Sequence, residues 1–399
     1  MILMENDIKK PKVLVTYIEA GFGHIVSAKA VSESLKNKYG NEIDVVDVFV
    51  SENNPALKKF ENYLVAEVKR TNKIKGYGSL QFSAMHIIGS QNTLKLMHST
   101  AFKNAKKEFN KLYDYYKPDM VVSTHFSPQH FAIEYRNNTL NNLLVANYNP
   151  DPNVHGWWDN RGDLFLVNNH YAYLEAIKNK FNPNTVKRVG FTIRQSIAKC
   201  NLSREELRQK HNLPKDNFTV CLADGAYATA KVKSYTNELL KSKHNMTIIV
   251  IAGKNKKVYD YFSQKQKLGK IPSNITLKLY EFVDYAYELY GASDVFITKA
   301  GPNAIQDSLF MGTPVMVSYY ATIIENITQK LFTKIYKCGV TILDKVKMRK
   351  TIEKWIKNPT ELNKYKQNCS RFDKTKNGAD DVADHIYNLL KYQKPHLFK

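Results

Sequence analysis

Cysteine is scarce in this chain of 399 residues: Cys200, Cys221, Cys338 and Cys369 stand far apart, with no Cys-x-x-Cys pair. That spacing argues against a disulfide framework or a cysteine zinc site and fits a reducing cytoplasm. Long apolar runs are missing as well. Met1-Ile-Leu-Met4 is too short, and too soon followed by charge, for a signal peptide, and no run reaches the roughly 18 residues of a bilayer span. Any membrane contact is therefore expected to be peripheral. His-Glu-x-x-His and Asp-x-Asp are absent, so neither a catalytic metal nor another cofactor is expected.

Acidic residues are the other deficit: 37 Asp and Glu stand against 59 Lys and Arg, a formal charge of +22. Such a field favours polyanions, whether nucleic acid, anionic lipid or nucleotide phosphate. The excess is concentrated. Residues 54–117 carry twelve basic against four acidic residues, a net of +8, whereas residues 1–190 as a whole sum to only +6. Apolar residues lie among those lysines: Phe60, Tyr63, Leu64 and Val65, then Leu80, Phe82, Met85, Ile87, Ile88, Leu94, Leu96 and Met97, and finally Phe102. They are too interrupted to span a bilayer but suited to lying on an anionic one. Interleaved aromatic and basic residues suit nucleic acid too, yet no recognised nucleic-acid module is present, and none is expected as a partner.

Apolar strands alternate with helical patterns along the whole chain. Val13–Ile18, Ile43–Val50, Met120–Thr124, Leu143–Asn147 and Leu164–Val167 form one set, and Thr219–Leu222, Ile248–Ile251, Ile275–Leu279, Val295–Ile297 and Val315–Val317 a second. This predicts an α/β fold of two mostly parallel sheets with helices on both faces. The boundaries expected are 1–192, 193–378 and a final amphipathic helix, 379–399. Cleft-facing strand ends between two such lobes are where ligands are expected.

Three constellations carry polar chemistry at strand ends. Gly21-Phe-Gly23-His24 turns sharply out of the first strand and opens a helix, placing an imidazole able to accept a proton near neutral pH. It lacks the third glycine of a dinucleotide fingerprint. Asp151-Pro-Asn-Val-His155-Gly-Trp157-Trp158 puts a polar pair beside two indoles, which offer area for an acyl chain or a sugar face. Ser123-Thr-His125 ends another strand. In the second half, Thr298-Lys299-Ala-Gly301-Pro302-Asn303 closes a buried strand and starts a helix running through Asp307 to Gly312-Thr-Pro314. Asn303 is expected to cap it, with the amide dipoles facing a phosphate.

These segments resemble the lipid glycosyltransferases that include monogalactosyldiacylglycerol synthase and processive diacylglycerol glucosyltransferase, in glycosyltransferase family 28. That family carries Gly-x-Gly-His-x-x-(Ala/Ser)-Ala, matched by His24, Ser27 and Ala28. Its Thr-Asp-x-x-x-His-x-x-Trp is matched by Asp151, His155 and Trp158, with Pro150 where the family has Thr. Its Lys-(Pro/Ala)-Gly-(Gly/Pro) run closing on Gly-x-Pro is matched by Lys299, Gly301, Pro302, Leu309, Gly312 and Pro314. Asp307 stands where the family has Glu, and Ala304 replaces a Thr or Ser. The resemblance implies a GT-B fold of two facing Rossmann-like domains.

It further implies an inverting transfer of a hexose from UDP-glucose or UDP-galactose to diacylglycerol or a glycosyl-diacylglycerol, at the cytoplasmic face of a membrane with an anionic surface. His24 and Asp151 take the catalytic role in that reading, and Gly23, His125, His155, Trp157 and Trp158 the acceptor. Gly225, Gly253, Asn255, Phe282, Val283, Lys299, Gly301, Pro302, Asn303, Asp307 and Glu325 take the UDP-sugar. With no Asp-x-Asp to hold a metal, Lys299 and helix amides are left to neutralise the diphosphate. Transfer to a polyprenyl-diphosphate sugar, or a non-catalytic role in binding membrane or nucleic acid, remain the alternatives.

Overall fold

The computed structural model describes residues 10–18, 22–52, 54–73, 102–225 and 228–398. Gly21 and the apolar residues Leu80, Phe82, Met85, Ile87, Ile88, Leu94, Leu96 and Met97 lie outside the described residues. The chain divides into two compact units, residues 1–195 with 376–399, and residues 196–375.

In the first unit, β1 (Lys12–Tyr17), β2 (Asp44–Phe49), β3 (Met120–Ser123), β4 (Leu144–Asn149), β5 (Leu164–Val167) and β6 (Val186–Arg188) form one sheet in the order β2-β1-β3-β4-β5-β6. Every pair in it is parallel. Its central strands are covered on both faces, which is why they read as unbroken apolar runs. One face packs Val13, Val15, Met120, Val122 and Leu166 against helices Phe22–Tyr39 and Gly378–Gln393. The other packs Leu14, Val121 and Val145 beneath helices Pro55–Lys73, Lys103–Tyr116 and Phe126–Thr139.

That second layer takes up Phe60, Leu64 and Phe102, which are 4%, 8% and 7% exposed. The expectation that they lie on a membrane is therefore corrected: burying each stabilises the unit by about 1.5–3 kcal/mol, and a bilayer cannot reach them. Tyr63 is exposed and Val65 half-buried.

The helix Gly378–Gln393 docks closely. Tyr39 and Tyr387 stack with ring centroids 3.9 Å apart. At Gly378 the backbone itself is the contact, since a Cβ there would lie 2.1 Å from the carbonyl oxygen of Gly190.

The second unit holds β7 (Phe218–Leu222), β8 (Met246–Ile251), β9 (Ile275–Tyr280), β10 (Val295–Lys299), β11 (Val315–Tyr319) and β12 (Gly339–Thr341), again all parallel, in the order β12-β11-β10-β7-β8-β9. In both sheets the first strand has its successor on one side and a later strand on the other. The strand order therefore reverses between β1 and β3, and again between β7 and β10. In open α/β sheets that reversal leaves a crevice at the carboxyl ends of the strands. Among the described residues, no helix is long and apolar enough to cross a membrane.

Candidate functional site

Two polar clusters stand at these reversals, one in each unit. In the first unit, His24 lies in the opening turn of helix Phe22–Tyr39, and its Nδ1 is 2.6 Å from the carbonyl oxygen of Thr124, the residue after β3. A carbonyl only accepts, so Nδ1 carries the hydrogen, and in the neutral ring Nε2 presents its lone pair. The clamp is reciprocal, because Thr124 Oγ1 donates to the His24 carbonyl at 2.8 Å. Nε2 points towards Asp151, 4.0 Å from Oδ2, and the two side chains are 15% and 13% exposed, enough for a small group to reach them.

Burial pushes the Asp151 carboxyl up from its ordinary value, against the pull of His24. Two more histidines complete the cluster. Burial, reinforced by His24, pushes His155 down to about 3. Burial, reinforced by the neighbouring rings of His24 and His155, holds His125 well below the ordinary imidazole range. Both therefore stay neutral, and His24 is the ring whose free nitrogen faces a carboxylate.

Local bonds explain the placement of the rest. His125 is the N-cap of helix Phe126–Thr139, its Nδ1 accepting from Ser127 N at 3.2 Å. Its ring packs edge-on to His24 with centroids 4.9 Å apart. Gly23 precedes His24 in the same turn, half-buried. His155 Nδ1 accepts from Trp157 N at 3.3 Å. Trp157 is half-buried against Phe126.

Trp158 departs from expectation. It is 1% exposed and packs on Phe165 among Val154, Val167 and Phe181. Its indole fills the core under the loop and offers no face to an acceptor. The loop is pinned further along, where Gln129 Nε2 donates to the Asp159 carbonyl at 2.7 Å and Gln129 Oε1 accepts from Asp159 N at 3.0 Å. Burial alone would raise the Asp159 carboxyl, but hydrogen bonds from Arg161 and His130 outweigh it and hold the group well below the usual carboxylate range.

In the second unit Lys299 is the last residue of β10. Its backbone N–H donates to Asp224 Oδ1 at 2.9 Å, and its Nζ donates to Glu325 Oε1 at 3.0 Å. Glu325 is 7% exposed, and its Oε2 accepts from Ala321 N at 2.7 Å. Asp224 follows β7, is 3% exposed and accepts a hydrogen bond from Thr229. Burial raises its carboxyl, opposed by the bonds from Thr229 and Lys299 and assisted by Glu325. The fold thus brings Lys299 and Glu325 together and adds Asp224, which sequence reasoning passed over in favour of its neighbour Gly225. Gly225 has φ +71°, a conformation that favours glycine, and among the described residues nothing lies within 4 Å of where a Cβ would stand.

Beside this cluster, Gly301 is the N-cap of helix Pro302–Phe310, with Pro302 in the first helical position and no side-chain cap. Asn303 is therefore inside the first turn, which corrects the expectation that it caps the helix. A proline at the first position is already set at helical φ, so the helix starts before Asn303. Asp307 lies half-buried further along the same helix. Asn255 caps helix Lys256–Lys267 through Val258 N at 3.3 Å and donates to the Ala228 carbonyl at 2.5 Å, next to Gly253 with φ +57°. Phe282 is 49% exposed beyond β9, with Lys254 Nζ 5.5 Å from its ring centroid and Val283 half-buried beside it. These residues share the carboxyl edge of one sheet, but β9 is two strands from β7, roughly 10 Å away.

A helix start capped by glycine, a lysine and a buried carboxylate can hold an anion beside a hydroxyl-bearing group. A histidine with a free nitrogen facing a carboxylate can accept a proton and keep it.

Known proteins share both halves. Residues 24–193 match the family model described as monogalactosyldiacylglycerol (MGDG) synthase, and residues 225–386 that of the glycosyltransferase family 28 C-terminal domain. The processive diacylglycerol beta-glucosyltransferase of Bacillus pumilus is 24% identical over 310 residues, covering 77% of this chain and 76% of its own. Monogalactosyldiacylglycerol synthase 2, chloroplastic, of Arabidopsis thaliana is 25% identical over 334 residues, covering 77% of this chain and 66% of its own. Among solved structures, MurG of Acinetobacter baumannii has a TM-score of 0.62 at 10% identity, covering 95% of this chain and 99% of its own. HepE of Anabaena in complex with UDP has a TM-score of 0.54 at 12% identity, covering 96% of this chain and 100% of its own. At those identities the likeness to solved structures is one of fold, the two-sheet α/β architecture of GT-B glycosyltransferases.

Proposed function

Since the chain belongs to the lipid glycosyltransferases that join an MGDG synthase domain to a family 28 C-terminal domain, we propose that it moves a hexose from UDP-glucose or UDP-galactose to diacylglycerol or a glycosyl-diacylglycerol. The observation that carries this reading is the clamp on His24, which fixes the ring with Nε2 free and 4.0 Å from Asp151. The acceptor hydroxyl gives its proton to Nε2, and Asp151 stabilises the imidazolium. As that proton leaves, the hydroxyl oxygen bonds the anomeric carbon, the bond from that carbon to the diphosphate oxygen breaks, and UDP departs with the electron pair. The displacement inverts the anomeric centre and makes a β-glycolipid.

Donor handling falls to the second unit. Lys299 and the glycine-capped start of helix Pro302–Phe310 stabilise charge on the departing diphosphate, and Glu325 accepts from the ribose hydroxyls. Lys299 and Glu325 are paired with each other at 3.0 Å, so an incoming nucleotide exchanges one ion pair for two sets of contacts. A lipid acceptor places the reaction at a membrane surface, reached peripherally.

Purified protein incubated with UDP-glucose or UDP-galactose and diacylglycerol in mixed micelles tests the reading. A β-hexosyl-diacylglycerol is the expected product. Transfer only to a polyprenyl-diphosphate sugar, or no preference for UDP over ADP in binding, would overturn it.

A further inference from the structure

The loop that carries Asp151 has the sequence Asn149-Pro-Asp-Pro-Asn153, with a proline on each side of the carboxylate. Neither proline has an N–H, so the loop enters no ladder or helix, and its inward carbonyls need donors from elsewhere. Three asparagine side chains supply them. Asn149, the last residue of β4, donates through Nδ2 to the Asn153 carbonyl at 2.8 Å and to that of Asp151 at 3.4 Å, while its Oδ1 accepts from Asp151 N at 3.1 Å. Asn168, immediately after β5, donates to the Pro150 carbonyl at 2.8 Å. Asn169 donates to the Pro152 carbonyl at 3.0 Å and to Asn168 Oδ1 at 2.6 Å, and its own Oδ1 caps the next helix at Ala172 N, 2.9 Å away.

The three are 0%, 4% and 3% exposed. The backbone N–H of Asp151 and the carbonyls of residues 150, 151, 152 and 153 are thus all held by asparagine side chains from the ends of two adjacent strands. With both flanking φ angles fixed by proline, the Cα of Asp151 has little freedom left, and its carboxylate is aimed at His24 Nε2.

We propose that Asn149, Asn168 and Asn169 are positioning residues for the reaction, acting through Asp151 by setting its carboxylate against His24. This rests on the reading of His24 and Asp151 as the proton-accepting pair. It goes beyond that reading in assigning a task to side chains that touch neither substrate nor the reacting atoms. Asn168 is the informative member, because it holds the loop without capping a helix.

A double-mutant cycle separates positioning from mere structural support. Turnover is followed as UDP release from UDP-glucose or UDP-galactose with dioleoylglycerol micelles, for Asn168→Ala, Asp151→Asn and the double variant. Asn168→Ala alone should lower kcat by about 10–100-fold, with KM for the UDP-sugar within about twofold, since the nucleotide is held on the other unit. In the Asp151→Asn background the same change should cost less than about threefold, because the group being positioned is already gone. A full multiplicative loss in that background would overturn the proposal and leave Asn168 a loop support. Wild-type turnover in Asp151→Asn would instead remove the premise that Asp151 acts, and the proposal with it. If Asn168→Ala does not fold, Asn168→Ser, which keeps one shorter donor, runs the same cycle with the same two criteria.

Discussion

The catalytic role proposed for His24 depends on one bond. The Thr124 carbonyl decides which ring nitrogen carries the hydrogen, and a residue 100 positions along the chain thereby leaves Nε2 with its lone pair. His24→Ala should lower turnover by about 10²–10⁴-fold with UDP affinity nearly unchanged, as single-turnover rates and calorimetry would show together. Turnover within a few-fold of wild type would leave His24 a structural clamp. On the other unit, Glu325→Ala should weaken UDP binding by about 1.5–3 kcal/mol, the worth of a charged acceptor in a largely buried site. Unaltered affinity would make Glu325 only the counter-ion of Lys299.

The strand-end placement of His24, Asp151 and Lys299 was legible because each stands at or after an apolar strand in a spacing shared with a known family. Asn168 and Asn169 were not, since asparagine after a strand reads as an ordinary turn residue, and only the fold shows whose carbonyls it reaches. Trp158 misled for a related reason: an indole beside a polar pair has the same sequence signature whether it faces a ligand or the core.

Elements with long apolar runs announce themselves. The ten longer strands begin or end within a few residues of where hydrophobic runs place them, whereas β6 and β12 have three residues each and no pattern to read. The start of helix Pro302–Phe310 was misjudged because Asn303 is the conventional capping residue, while Gly301-Pro302 sets the helical φ two residues earlier. Helix Gly378–Gln393 depends on a backbone contact that no periodicity reveals. Gly378→Ala would drive a methyl group into the Gly190 carbonyl and should destabilise the first unit by about 1–3 kcal/mol or more. Chemical denaturation followed in the first unit tests this, and an unchanged midpoint would mean that the helix shifts without penalty.

At the scale of the whole molecule the +22 charge bears on where the protein works. Because Phe60, Leu64 and Phe102 are core residues, the membrane attachment proposed for the described part of 54–117 would rely on exposed lysines, each contributing on the order of 1 kcal/mol near an anionic surface. Cosedimentation should show strong binding to phosphatidylglycerol vesicles and weak binding to phosphatidylcholine. Binding should fall with salt and be reduced when Lys59, Lys103 and Lys107, all exposed, are together replaced by Glu. Lys106 is a poorer choice, since it pairs with Glu134 at 3.7 Å. Equal binding to both lipids would remove this face from the interface.

The first unit is also discontinuous in sequence, completed only by residues 376–399 after the second has been made. On the ribosome, the second unit emerges whole and can close its core at once. The first must wait, its sheet bare where Val382, Ala383, Ile386 and Leu390 will later pack, until some 180 further residues have been added. At roughly 5–20 residues per second that is on the order of 10–40 seconds of exposed apolar surface, long enough for a holding chaperone to be part of this chain's synthesis.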